Sequence, residues 1–265
     1  MERLSRAERR ALLREDEAII AAPLVMARDA RATRSMDAHV RHMVKLLRNP
    51  ASKSPCSDAV AYATALFERT VPKSAHDKAV CRKGCSFCCS QLVTLTAPET
   101  FFVTSALRKR PDLAAKIVAS DQTTRGMSLE ARLATHIICP LLEADACATY
   151  AARPLGCHAF VSVNLDACIA TFRHNAPPQI PQPVEHSAVL YACRLALMAA
   201  IRLADLPAKS YEMNGAVTLA LNDPESEQRW LAGEDVLGGT EAGGDTPPDA
   251  AAIMDRIVAS LRPTV

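Results

Sequence analysis

The run Cys81-Arg-Lys-Gly-Cys85-Ser-Phe-Cys88-Cys89 sets four thiols within nine residues, and no regular element explains that spacing. Thiolates two or three residues apart on a turning backbone converge on one ion, whereas a rigid helix or strand interior disperses them. Gly84 supplies the freedom for that turn. Residues 73–95 carry little helical period, so they read as a structured loop around which other elements pack. Downstream, Cys139-Pro-Leu-Leu, Cys147-Ala-Thr-Tyr150 and Arg153-Pro-Leu-Gly-Cys157-His-Ala-Phe160 form a second thiol-rich stretch, with Cys168 beyond it. Two short-spaced groups separated by a helical insert have the arrangement of closed metal sites. Cys88 and Cys89 are not equivalent, because adjacent side chains diverge, so two sites and a bridged cluster both stay open. Four thiolates on one divalent ion leave about two negative charges. Arg82, Lys83 and Arg153 stand where they offset that charge, or where they simply keep a loop soluble.

The flanks read as helix. Val40, Met43, Val44 and Leu47 recur at helical spacing within residues 35–47, and Val60, Ala63 and Phe67 do the same within 57–70, where Pro72 ends the pattern. Arg28, Arg31, Arg34, Arg41 and Arg48 form a solvated stripe rather than an anion site. Thr96-Ala-Pro-Glu99 fits a capping box for a helix to about Lys109. Pro111 opens another through Ala119, and 128–130 start a third towards His136. Residues 139–180 look loop-rich and end in Pro177, Pro178, Pro181 and Pro183. Helices resume over 184–205, 210–221 and 250–261, the last after the linker-like run GGTEAGGDTPP. The expected organisation is a helical segment over 1–75, a cysteine module over 76–175, helices packing on it over 176–236, and a linker with a short helix over 237–265.

Composition agrees with a folded helical protein. Of 265 residues, 49% are apolar and 23% charged, with only nine glycines, which argues against disorder and against a turn-rich all-β chain. A net charge of +2 predicts neither nucleic-acid nor membrane-surface binding. Eleven aromatics make a core poor in large rings, so the ten cysteines have room for a structural as well as a chemical role. The first twenty residues mix arginines with acidic residues and lack the apolar run of a signal peptide, and residues 188–206, the most apolar stretch, are broken by Arg194 and Arg202. The expected location is the cytoplasm, where many cysteines mean metal ligation or redox chemistry rather than disulfides.

Both halves of the thiol pattern resemble the YkgJ-type cysteine-cluster family, which carries a zinc- or iron-chelating CxxCxxCC domain. The resemblance rests on the first cluster with its Cys88-Cys89 pair, on Leu95-Thr96-Ala-Pro-Glu99, and on Cys139-Pro-Leu-Leu followed by Cys147-x-x-Tyr150-x-x-Arg153-Pro154-x-x-Cys157-x-x-Phe160. It covers about residues 80–170. It implies eight metal-site cysteines: Cys81, Cys85, Cys88, Cys89, Cys139, Cys147, Cys157 and, as the natural eighth, Cys168. The implied cofactor is zinc or iron, including a [4Fe–4S] cluster, and the metal ion is the one partner indicated. This sequence departs from the family in having three residues between Cys81 and Cys85 where many members have two, and His158 where arginine usually follows the cysteine.

An enzyme is the alternative. Cys81, Cys85 and Cys88 also spell CxxxCxxC, the form that binds a [4Fe–4S] cluster in radical S-adenosylmethionine enzymes, and relatives of the family are named flagellin lysine methylases. Against it, no βα alternation for a barrel and no glycine-rich segment is present. Cys56 and Cys193 sit on apolar helical faces and read as core. His136 and His158 lie beside cysteines and read as supporting groups rather than ligands, and Tyr150 with Arg153-Pro154 as residues packing over the site. The fold expected is mainly all-α, helices packed around a loop-rich cysteine module.

Overall fold

Apolar spacing and proline placement together decide where the helices run. In the computed structural model, which describes residues 30–174, 180–242 and 248–262, α1 (Ala30–Leu47) lays Val40, Met43 and Leu47 into the core. Pro55 opens α2 (Pro55–Thr70), which buries Val60, Ala63 and Phe67, because a residue at the first helical position needs no N–H partner. α3 (Lys73–Asp77) follows Pro72, and a 3₁₀ turn spans Phe87–Ser90. Residues 73–95 are therefore less irregular than their sequence suggests. A single turn of helix shows no period to read.

β1 (Thr94–Thr96) leads into α4 (Ala97–Leu107), α5 (Pro111–Thr124) and α6 (Leu129–Ala134), the last capped by the Ser128 hydroxyl accepting from Ala131 N–H. A small hairpin of β2 (Leu142–Glu143) and β3 (Ala146–Cys147) turns through Ala144 and Asp145, both at positive φ (46° and 58°). Glycine and asparagine usually supply that conformation, so the pair Ala-Asp gives no hairpin signal. After a 3₁₀ turn at Tyr150–Ala152 come α7 (Leu155–Ala159) and α8 (Leu165–His174). The stretch 139–180 is thus partly helical, a correction to its loop-rich reading.

α9 (Val184–Leu203) is the central helix of the larger core. By length and composition it could cross a bilayer, but Cys193, Ala196, Leu197, Ala200 and Ile201 are buried in that core, where α9 packs against α1, α2 and α12 (Pro248–Leu261). Its arginines are partnered: Arg194 donates to the Thr94 hydroxyl at 3.3 Å and Arg202 pairs with Asp255 at 2.7 Å. Residues 210–212 are β4 (Ser210–Glu212), not helix, and pair antiparallel with β1 in the register Leu95 to Tyr211. α10 (Met213–Asn222) begins only after Glu212, whose carboxylate accepts from Gly215 N–H. α11 (Ser226–Leu231) adds Trp230, fully buried beside Phe101.

Helix makes up 62% of the structure and strand 5%, so the class is mainly all-α, and the sheets among the described residues are two antiparallel pairs. A second apolar cluster joins Val93, Leu95, Leu107, Leu113, Ile117, Leu141, Met213 and Val217, and Cys139 and Cys157 pack against it. The readings of residues 1–20, Arg28, Pro177, Pro178 and the linker positions 243–247 lie outside the described residues, as do the side chains of Arg31 and Arg34.

Candidate metal centre

Two thiol-bearing stretches are sewn together by backbone and side-chain hydrogen bonds. Cys139 N–H donates to the Cys89 carbonyl at 2.6 Å, and the Ser86 hydroxyl donates to the Asp145 carboxylate at 3.0 Å across the hairpin tip. Val80 N–H donates to the Ser162 carbonyl at 2.8 Å, while Ser162 N–H donates back to Cys81 Sγ at 3.4 Å. Gly84 has a φ of 86°, the left-handed turn that the first cluster requires. α8 closes the arrangement with the Arg173 guanidinium 4.8 Å from the Phe87 ring centroid.

A carboxylate anchors the second stretch. Glu99, 2% exposed, completes the capping box: its Oε2 accepts from Thr96 N–H and the Thr96 hydroxyl, each at 2.8 Å. Its Oε1 accepts from Leu155 N–H at 3.0 Å. The box expected at the start of α4 is therefore present, and the same side chain also fixes the start of α7, which carries Cys157. Arg153 donates to the Cys157 carbonyl and lies 4.9 Å from the Tyr150 ring centroid.

These contacts gather Cys81, Cys85, Cys88, Cys89, Cys139, Cys147, Cys157 and Cys168 into one electrostatically linked group. Cys81 is raised by burial and then by the thiols of Cys85 and Cys168. Cys88 hydrogen-bonds Cys89, which drives Cys88 up and Cys89 down, and Cys157 and Cys81 push Cys88 further. Burial raises Cys139 to about 11, with Cys89 and Cys147 adding to it, and raises Cys157 to about 12, with Cys139, Cys147 and Cys89 adding. Arg153 pulls Cys81, Cys89 and Cys157 in the opposite direction, and Arg132 does so for Cys139.

Cys56 and Cys193 stay outside this group. Both are buried in the larger core; Cys56 is raised by burial and by Glu227, and Cys193 by burial to about 12. His158 is turned to α2, its Nε2 3.0 Å from Glu68 Oε1, and His136 lies edge-on to Phe172 at 5.6 Å. Tyr150 is 64% exposed. Arg82 and Lys83 are exposed as well.

Residues 80–178 match the family model described as "CxxCxxCC: Putative zinc- or iron-chelating domain". The segment is similar to that domain. It takes in all eight thiols of the linked group and little more than a third of the chain. No curated protein and no solved structure matches the chain.

Among the described residues, those of the matched segment included, no three Cys, His, Asp or Glu side chains stand together in ligating geometry. The donor chemistry nevertheless suits a soft or borderline cation. Metals bind thiolates rather than thiols, and burial with mutual repulsion opposes ionising Cys81, Cys88, Cys139 and Cys157 in the protein alone, while Cys89 is lowered. A bound cation inverts that balance and deprotonates its ligands.

Sequence reasoning missed two supporting roles, those of Glu99 and Arg132. Glu99 was sufficiently explained by its cap, with no signal for its reach to Leu155. Arg132, only 8% exposed on its side chain and 3.8 Å from Glu212, carries no local mark of its nearness to Cys139. Cys168 was named from the sequence, but the helix that carries it was not, although Asn164, whose Oδ1 accepts from Ala167 N–H at 3.0 Å, is a helix-start signature for α8.

Proposed function

We propose that the CxxCxxCC domain binds zinc or iron through thiolates drawn from Cys81, Cys85, Cys88, Cys89, Cys139, Cys147, Cys157 and Cys168. The observation that supports it is the partition of the ten cysteines: eight interact in one group spanning two stretches of chain, while Cys56 and Cys193 sit in a separate core. A thiol-rich set favours a closed site whose effect is on folding and metal handling, since catalysis at a metal requires an open position. Bound metal would then supply stability directly; structural zinc contributes about 10–16 kcal/mol of apparent binding energy in small modules. All ten cysteines are free thiols, the form a reducing interior maintains, and we place the protein in the cytoplasm.

Anaerobic purification followed by elemental analysis and a visible spectrum tests this. Colourless protein with stoichiometric zinc, or protein with stoichiometric mononuclear iron, is the expected result. Brown protein containing acid-labile sulfide would assign an iron–sulfur cluster, and cleavage of S-adenosylmethionine on reduction would assign the enzyme. Protein that takes up neither zinc nor iron would overturn the proposal.

A further inference from the structure

Positive charge accumulates where α1 gives way to α2. No acidic residue occurs from position 38 to 57, a stretch that holds Arg41, Lys45, Arg48 and Lys53. The last two of these cations rim a cavity of about 460 Å³ at one end of the larger core. Leu47 at the end of α1, Ala204 and Leu206 just beyond α9, and Leu231 of α11 form its apolar wall. Gln228 adds an amide beside the cations, and no aspartate or glutamate lines the space. The carboxylates nearest in sequence are already engaged. Asp58 accepts from the Ser52 hydroxyl at 2.6 Å, Glu227 from Cys56 N–H at 3.2 Å, and Asp205 from Arg48 and Arg262 at 3.2 and 3.4 Å. The helix ends are closed as well, since the carbonyls of Val44 and Leu46 accept from Arg48 and Asn49 N–H, and those of Ala200 and Ile201 from Ala204 and Leu206 N–H. Lys53 is exposed and makes no ion pair among the described residues.

We infer that this cavity binds a small amphipathic carboxylate, its chain against Leu47, Ala204, Leu206 and Leu231 and its head between Arg48 and Lys53. The volume falls within the range of small-molecule sites, about 300–1,000 Å³, and so does the make-up of the lining, apolar walls with a few placed polar groups. An apolar wall rewards a ligand that brings a chain to bury, which a bare inorganic anion lacks. Two cations without a lining carboxylate repel an amine and attract an acid. The pair of Arg48 with Asp205 is exposed on both sides, 55% and 72%, where such pairs contribute little, and a guanidinium has five N–H donors to share. Arg48, whose spacing assigns it to a solvated stripe, thus gains a second role at the cavity mouth. None of the eight thiols lines this space, and the inference is independent of metal chelation.

Equilibrium dialysis of the full-length chain against radiolabelled octanoate is the test, with octylamine and acetate as competitors. Octanoate should bind at about one equivalent per chain with a Kd below roughly 1 mM. Octylamine, which reverses the charge, and acetate, which lacks the chain, should displace little of it at equal concentration. Lys53→Gln and Arg48→Gln each remove an exposed charge and should weaken binding about two- to fivefold, and the double variant about fivefold or more. Lys109→Gln, an exposed cation outside the cavity, should match wild type. Leu206→Glu sets a carboxylate into the apolar wall and should abolish binding. Octanoate that does not bind, or that acetate or octylamine displaces equally well, would overturn the inference. So would a double variant that binds as tightly as wild type, or binding that Leu206→Glu leaves unchanged, since the ligand would then sit elsewhere. Should Leu206→Glu fail to fold, by circular dichroism, the variants of the two exposed cations decide the matter.

Discussion

Cys139 hands its backbone N–H to the carbonyl of Cys89 at 2.6 Å, so two segments fifty residues apart in sequence meet with a thiol-bearing residue on each side of the bond. The contact uses backbone rather than sulfur, and it leaves both thiols free. Proximity of the two stretches is therefore built into the polypeptide and does not wait for a metal or a disulfide. If the proposed chelation holds, the sulfurs would still have to shift into ligating geometry, but the two stretches that carry them need not first be brought together, which reduces the ordering cost.

Removing a thiol of either stretch should be felt by the whole centre. Cys85→Ala and Cys157→Ala are each expected to lower metal content per chain and the melting temperature of metal-loaded protein. Cys193→Ala, which trims a core helix away from the linked group, should leave metal content unchanged. Elemental analysis beside a thermal melt checks this, and full metal retention in either of the first two variants would strike that residue from the ligand set.

Glu99 couples cap and centre through one buried carboxylate. In Glu99→Ala, Thr96 N–H, the Thr96 hydroxyl and Leu155 N–H all lose their acceptor. Hydrogen bonds to a charged group contribute about 1.5–3 kcal/mol each and are not additive, so a loss of roughly 2–4 kcal/mol is expected from urea unfolding. Metal affinity should fall too, because Leu155 opens the helix that presents Cys157. A variant within about 0.5 kcal/mol of wild type would show that water replaces those bonds at little cost.

Gly215 sits where α10 passes β4 and the chain beyond it. A methyl group there would meet Thr240 Cγ2 at 3.0 Å and Cβ at 3.2 Å, closer than relaxed packing allows. Gly215→Ala is expected to destabilise by about 1 kcal/mol or more, because helix propensity gained is smaller than the shift forced on Thr240. A rise in melting temperature would mean that Thr240 yields freely.

Much of this architecture could be read in the chain because its signals are local. The Thr96–Glu99 box, Pro55, Pro111 and Ser128 each act within one turn of the residue that carries them, and the helices start there. The thiol pattern was legible for the same reason: spacing of two or three residues is visible without knowing the fold. What sequence could not show is non-local or too short to have a period. The pairing of Thr94–Thr96 with Ser210–Glu212 joins strands of three residues that lie far apart in the chain. That pairing is why helix did not begin at Ser210. The Ala144–Asp145 turn adopts positive φ without glycine, since the flanking two-residue strands and the Ser86 bond hold it there.

His186 makes acid stability a measurable property of the fold. It is 1% exposed, edge-on to Phe67 at 4.9 Å and to His76 at 5.4 Å, and its Nδ1 has no hydrogen-bond partner. Burial, followed by the charges of His76 and His158, lowers it from 6.5 to about 4. Glu68 offsets part of the charge on His158, and Glu185 and Lys78 pair with one another beside the start of α9. Between pH 6.5 and 4 the unfolded chain binds a proton at this position that the folded chain refuses. The stability that neutral His186 permits is thus complete above pH 6.5 and is lost as pH falls through that window, by up to about 3 kcal/mol. His186→Leu cannot take up that proton, so its stability should fall less steeply from pH 6.5 to 4. Acid also protonates metal-bound thiolates, but in wild type and variant alike. The difference between their unfolding free energies, measured at equal metal loading, isolates the histidine. Parallel curves across the window would show that His186 reaches solvent when it is charged.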